Sequence, residues 1–84
     1  MAKETAIIIF NIIKRHFTVD LEVPLDISAN DLVNALNTAY DLHIDTSDIK
    51  NCYLKAENPI ALLKGNKTLK EFGLRTGSVI NFTE

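Results

Sequence analysis

A single short stretch constrains this chain more than any other. In Phe17-Thr18-Val19-Asp20-Leu21-Glu22-Val23, apolar and polar side chains alternate without a break. A period of two belongs to a strand with one buried face. Pro24 lacks a backbone N–H and helps to end it. Upstream, Thr5 to Ile13 is dense in isoleucine, which favours a strand, and Lys14-Arg15-His16 is a polar break between the two runs. Two strands so close in sequence make a β-hairpin. A two-residue turn at Arg15-His16 pairs Ile12 with Val19, Phe10 with Leu21 and Ile8 with Val23, and all six then face the core. The same parity turns Asn11 outward and, less expectedly, Ile7, Ile9 and Ile13 with it.

A helix follows. Ser28 can cap its free amides, and Asp31, three residues on, can reach back and favours the positive end of the helix dipole. Leu32, Leu36 and Ala39 recur at helical spacing, and Val33 and Tyr40 widen the stripe. The helix should end near Asp41. Beyond a polar connector, Asn51 to Ala56 reads as a third strand, with Cys52 and Leu54 of one parity and Tyr53 and Lys55 of the other. Asn58-Pro59 is a turn signal, Ile60 to Leu63 a short fourth strand, and Lys64-Gly65-Asn66-Lys67 another turn. Thr68 to Phe72 reads as one helical turn closed by Gly73. Thr76-Gly77-Ser78 then leads into a last strand, Val79 to Phe82. The hairpin must bury the helix's apolar stripe on its sheet, and the first and last strands can lie side by side in the middle. The expected class is α+β: a β-grasp, a mixed sheet with one packed helix in the order β-β-α-β-β-β.

Size sharpens the demand on packing. The chain has 84 residues, read as one domain over residues 1–84. Small domains need staples or efficient packing. Cys52 is the one cysteine, so no disulfide closes within the molecule, and no Cys/His spacing offers the four ligands of a structural zinc site. Packing has to suffice, and 46% hydrophobic residues allow it. A net charge of −2 argues against a general nucleic-acid binder, whose affinity comes from a basic patch. No run of 18 apolar residues provides a transmembrane helix. The segment Ala6 to Ile13 is too short, and too interrupted by Asn11, to be a signal peptide. One free thiol without an export signal points to the cytoplasm.

The closing part of the chain carries a resemblance. Thr68-Leu69-Lys70-Glu71-Phe72-Gly73-Leu74-Arg75-Thr76-Gly77-Ser78-Val79-Ile80-Asn81-Phe82 is similar to the ubiquitin-fold pattern of Thr-Leu, a polar pair, an aromatic residue, a turn and a closing apolar strand. Leu21-Glu22-Val23-Pro24 resembles the end of the second strand in that fold. Within it, Asp20 to Pro24, the polar-capped helix and the tail through Ile80 resemble the YukD/EsaB-type family, ubiquitin-like proteins encoded with type VII (WXG100) secretion systems. The resemblance implies a non-conjugated accessory or regulatory protein that works by protein–protein binding. A conjugated relative would need a flexible tail ending in Gly-Gly, whereas this sequence ends Asn81-Phe82-Thr83-Glu84. The alternative is a ubiquitin-like interaction domain with unrelated partners, or one that self-associates as a homodimer through its sheet face.

Nothing in the sequence assembles a catalytic constellation, so no enzyme activity, cofactor or metal is expected. His16 and His43 lack a partner nucleophile, and both read as turn or loop residues. Cys52 reads as a buried, inert thiol. A ferredoxin-type cluster needs four cysteines. Gly65-Asn66-Lys67-Thr68 lacks the earlier Gly and the adjacent Gly-Lys of a phosphate loop. Asp41, Asp45 and Asp48 lack the calcium-loop spacing. Lys14, Arg15, Lys64, Lys67, Lys70 and Arg75 read as scattered surface charges. What remains is the outward side of the sheet. The tail pattern puts Ile80 and Phe82 in the core, so Val79 and Asn81 face out beside the first strand, and Tyr53 faces out if Cys52 and Leu54 are buried. Ile7, Ile9, Tyr53 and Val79 are therefore the expected protein-binding residues, because contiguous apolar patches on small proteins mark interfaces.

Overall fold

A computed structural model describes residues 4–45, 47 and 48, and 52–83. Strand β1 spans Thr5–Ile12 and β2 Phe17–Pro24; helix α1 spans Ala29–Tyr40; β3, β4 and β5 span Leu54–Glu57, Ala61–Leu63 and Val79–Phe82. They form one five-stranded sheet in the order β2-β1-β5-β3-β4. The central pair β1 and β5 is parallel and the other neighbours are antiparallel. This is the mixed β-grasp sheet with one packed helix that the element order calls for.

The two faces of the sheet are chemically distinct. Ile8, Phe10 and Ile12 of β1, Leu54 and Ala56 of β3, Leu63 of β4 and Ile80 of β5 are buried together. Ala29, Leu32, Val33 and Leu36 of α1 close over them. At 3.6 residues per turn that stripe is centred near Leu36. Ala39, expected within it, lies at its exposed margin. Tyr40 takes the last place instead, its ring 5.3 Å from Phe10 and 5.7 Å from Phe17.

The hairpin keeps the expected parity and shifts in register. Ile12 pairs with Phe17, Phe10 with Val19, Ile8 with Leu21 and Ala6 with Val23. Each pairing is offset by two residues from the one the two-residue turn required. The cause is the connection itself. Ile13–Arg15 forms a 3-10 turn, and His16 adopts a left-handed conformation (φ 51°) while its N–H donates to the Ile13 carbonyl at 3.1 Å. The four residues consume the chain that the tighter turn would have left in the strands. A shift of two preserves every facing.

Other boundaries move for similar reasons. The third strand begins at Leu54, so Cys52 and Tyr53 precede it, and Asn51 lies outside the described residues. Its ladder is limited by its partners: three-residue β4 reaches Leu54 through Leu63, and pairing with β5 runs from Lys55–Asn81 to Glu57–Val79. Ile60 is 91% exposed in the turn after Pro59 and not part of β4. Thr68 to Phe72 makes the single helical turn expected, closed by Gly73. Phe72 N–H bonds the Thr68 carbonyl, then Gly73 N–H bonds Lys70 and Leu74 N–H bonds Leu69, with Gly73 at φ 84°.

The expected Ser28 cap is present, without the reciprocal bond from the Asp31 carboxylate. Ser28 Oγ accepts from Asp31 N–H at 3.1 Å. Asp41 terminates α1 in a left-handed conformation. Arg15 adds a cap across the fold, its two terminal nitrogens donating to the carbonyls of Tyr40 and Asp41, both at 2.7 Å. A guanidinium is well suited to this place, since the last carbonyls of a helix lack partners and carry its negative end.

Candidate protein-binding face

Successive side chains of a strand point to opposite faces, so the residues between the core positions of β1 form the outer surface of the sheet. Ile7 is 50% exposed, and Ile9 is half-buried. Val79 of β5 is likewise half-buried and pairs directly with Ile9. The Ile7 backbone is fixed at both polar atoms, its N–H donating to Thr76 Oγ1 at 3.1 Å and its carbonyl accepting from Gly77 N–H at 3.0 Å. Ile7, Ile9 and Val79 thus form a contiguous apolar strip on the two central strands.

Tyr53 sits elsewhere. By the register of β3 and β5, Glu57 is the partner of Val79 and Lys55 that of Asn81. Tyr53 lies four residues along the chain from Glu57, a separation of about 13 Å at strand rise. It is half-buried in a hollow of about 340 Å³ at the end of the sheet, lined also by Leu42, Ile44, Lys55, Asn81 and Phe82.

A polar ladder separates the strip from that hollow. Thr18 Oγ1 of β2 donates to Asn11 Oδ1 of β1 at 2.8 Å. Asn11 Nδ2 donates to Asn81 Oδ1 of β5 at 2.8 Å, and Asn81 Nδ2 donates to Glu57 Oε2 of β3 at 2.9 Å. The ladder crosses four strands, and it explains how two asparagines are accommodated at neighbouring central positions.

Acidic groups flank the strip. Glu22 pairs with Ile7 and Asp20 with Ile9, both exposed on the outer face of β2, and Glu57 stands across β5 from them. The sequence contains this signal in the alternation of β2, but its neighbours depend on register. The tighter hairpin would have set Glu22 beside Ile9 and Asp20 beside Asn11.

The other chemistry-bearing groups are dispersed. Cys52 is buried, and desolvation, reinforced by the charges of Asp45 and Asp48, raises its thiol above the ordinary 9.0. His43 and Asp41 form an exposed pair at 3.6 Å. Asp45 Oδ1 accepts from the Ser47 hydroxyl and N–H, which lowers its carboxyl below the ordinary value. Among the described residues, no group of three or more His, Cys, Asp or Glu side chains could hold a metal ion, and no helix is long and apolar enough to cross a membrane.

The sheet order, the helix across one face and the uncovered apolar strip define a ubiquitin-like domain. Solved structures agree. The C-terminal ubiquitin-like domain of mouse tubulin-specific chaperone e superposes with a TM-score of 0.73 at 9% identity, over 96% of this chain and 87% of that one. The UBL domain of Plasmodium falciparum Dsk2 superposes with a TM-score of 0.61 at 15% identity, over 93% of this chain and 97% of that one. At such identities the likeness establishes the fold alone. No curated protein matches the chain by sequence. The model of one family, WXG100 protein secretion system (Wss), protein YukD, matches residues 7–81. The chain belongs to the YukD family.

Proposed function

We propose that this protein is an accessory or regulatory component of a WXG100 (type VII) secretion system, acting in the cytoplasm as one ubiquitin-like domain that binds other proteins and catalyses nothing. The observation that carries the reading is the partly exposed Ile7–Ile9–Val79 strip in a fold whose family is tied to that system. Ile7 leaves half of its surface open, whereas its neighbour Ile8 is fully buried in the core. Tyr53, beyond the polar ladder, is proposed as a peripheral contact. The burial of the Cys52 thiol supports the absence of a nucleophile. The partner is proposed to be another protein of the secretion machinery, not nucleic acid or the bilayer interior.

The test pairs capture with secretion. Tagged protein should retain a secretion component from a lysate, and Ile9→Lys should lose it while keeping its circular dichroism spectrum. Deletion of the gene should alter secretion of WXG100 substrates. Capture of no secretion component, together with unaltered secretion on deletion, would sink the proposal.

A further inference from the structure

The chemistry of the partner can be read from the rim of the strip. This inference rests on the sheet face being the docking surface. On the outer face Glu22 and Asp20 stand beside Ile7 and Ile9 on one flank, and Glu57 stands beside Val79 on the other. Two of these carboxylates are held in place: Glu22 accepts from Thr5 Oγ1 at 2.8 Å, and Glu57 from the last asparagine of the ladder. The nearest outward cation of the sheet is Lys55, one outward position further along β3, beside Asn81 and Leu62. Arg75 lies in the turn before β5. The apolar strip is therefore bounded by negative charge on both flanks and by neutral amides at one end.

Dimensions select the shape of the occupant. The flanking acids lie on β2 and β3, three inter-strand spacings apart, or about 14 Å. An α-helix with its side chains is about 10–12 Å across. A helix laid along β1 and β5 would cover Ile7, Ile9 and Val79 and bring its lateral side chains onto Asp20 and Glu22 on one flank and onto Glu57 on the other. We propose that the occupant is an amphipathic helix of a partner protein, with a short apolar stripe flanked on both sides by Lys or Arg. A second copy of this chain is disfavoured, since face-to-face docking would bring one acidic rim against another. An anionic membrane surface is disfavoured for the same reason. Two residues of β1 and one of β5 contribute apolar contact before the ladder interrupts, so the interface is small and of the transient class.

The experiment uses the full chain, labelled with 15N, and two synthetic 18-residue helical peptides. Both carry leucines at i, i+3, i+4 and i+7; one has lysines on the flanks and the other glutamates. The lysine peptide should shift the amides of Ile7, Ile9, Val79, Asp20, Glu22 and Glu57. Its affinity should fall as salt is raised, and by roughly tenfold or more in Asp20→Lys/Glu22→Lys, a change of at least about 1.4 kcal/mol. The glutamate peptide should leave the spectrum unchanged. Equal binding of the two peptides, binding of neither, or shifts confined to other surfaces would overturn the inference. Such a result would leave the proposed function standing if Ile9→Lys still abolished capture of the natural partner. A variant Ile9→Lys that captured the partner normally would instead remove the docking face itself.

Discussion

At the scale of single residues, the side chains that hold the fold together are often not those the sequence advertises. Asn37 reads as an ordinary polar position on a helix. In the fold its side-chain amide grips both polar atoms of the Ile44 backbone: Nδ2 donates to the carbonyl at 3.1 Å, and Oδ1 accepts from the N–H at 2.9 Å. It fixes the segment after α1 that seats buried Leu42. Asn37→Ala should cost about 1–3 kcal/mol, the usual penalty for part-buried polar groups left unpaired. For a domain of this size each kcal/mol is worth about 4–8 °C in Tm, readable by thermal melts. Cys52, by contrast, was legible: a thiol among apolar neighbours reads as buried, and it is. With its ionisation pushed above 9.0, the thiolate is scarce in the folded state. Ellman's reagent at pH 8 should therefore modify it slowly in the folded protein and rapidly in urea. Above pH 9 the unfolded chain ionises this thiol first, so the native state loses stability there.

At the scale of elements, periodicity located the strands and the helix, while connections set their boundaries. Alternation in β2 and the Ser28 cap of α1 are local signals, and both hold in the structure. The two-residue register offset of the hairpin has no local signal, because nothing in Lys14-Arg15-His16 shows that Arg15 will be drawn to the far end of α1. That contact makes the turn an anchor. Arg15→Met should cost about 1 kcal/mol through loss of charge-assisted bonds at the helix terminus, whereas Lys14→Met, which leaves those bonds intact, should melt within about 0.5 kcal/mol of the native protein. The segment from Thr68 is pinned by a similar device. Glu71 accepts from the N–H and hydroxyl of Thr68, both at 3.0 Å, and these bonds, with lesser help from Lys67, hold its carboxyl below the ordinary 4.5. A lowered value means stability that is present above 4.5 and is lost as pH falls through the folded value. Denaturant unfolding from neutral to acid pH should accordingly show a shallower acid loss in Glu71→Gln.

At the scale of the whole molecule, one consequence of parity decides between a fold-driven and a partner-driven β1. The sequence carries isoleucine at 7, 8 and 9 without telling them apart. The sheet assigns Ile8 to the core, with no exposed surface, and Ile9 to the outer face beside Val79. This is why the outer strip was foreseeable from strand parity while its edges were not: the ladder through Asn11 and Asn81 and the acid rim need cross-strand neighbours. Substituting the two isoleucines should give opposite results. Ile8→Ala removes buried methyl groups and should cost about 2–5 kcal/mol, a large share of the roughly 5–15 kcal/mol that stabilises a small domain. Ile9→Thr exchanges one β-branched residue for another on a half-exposed face, and should stay within about 1 kcal/mol while weakening partner capture. Urea titrations of the two variants, run beside capture assays, separate the roles. Equal destabilisation by both would mean that the outer isoleucines serve the sheet, and that the strip is no docking surface.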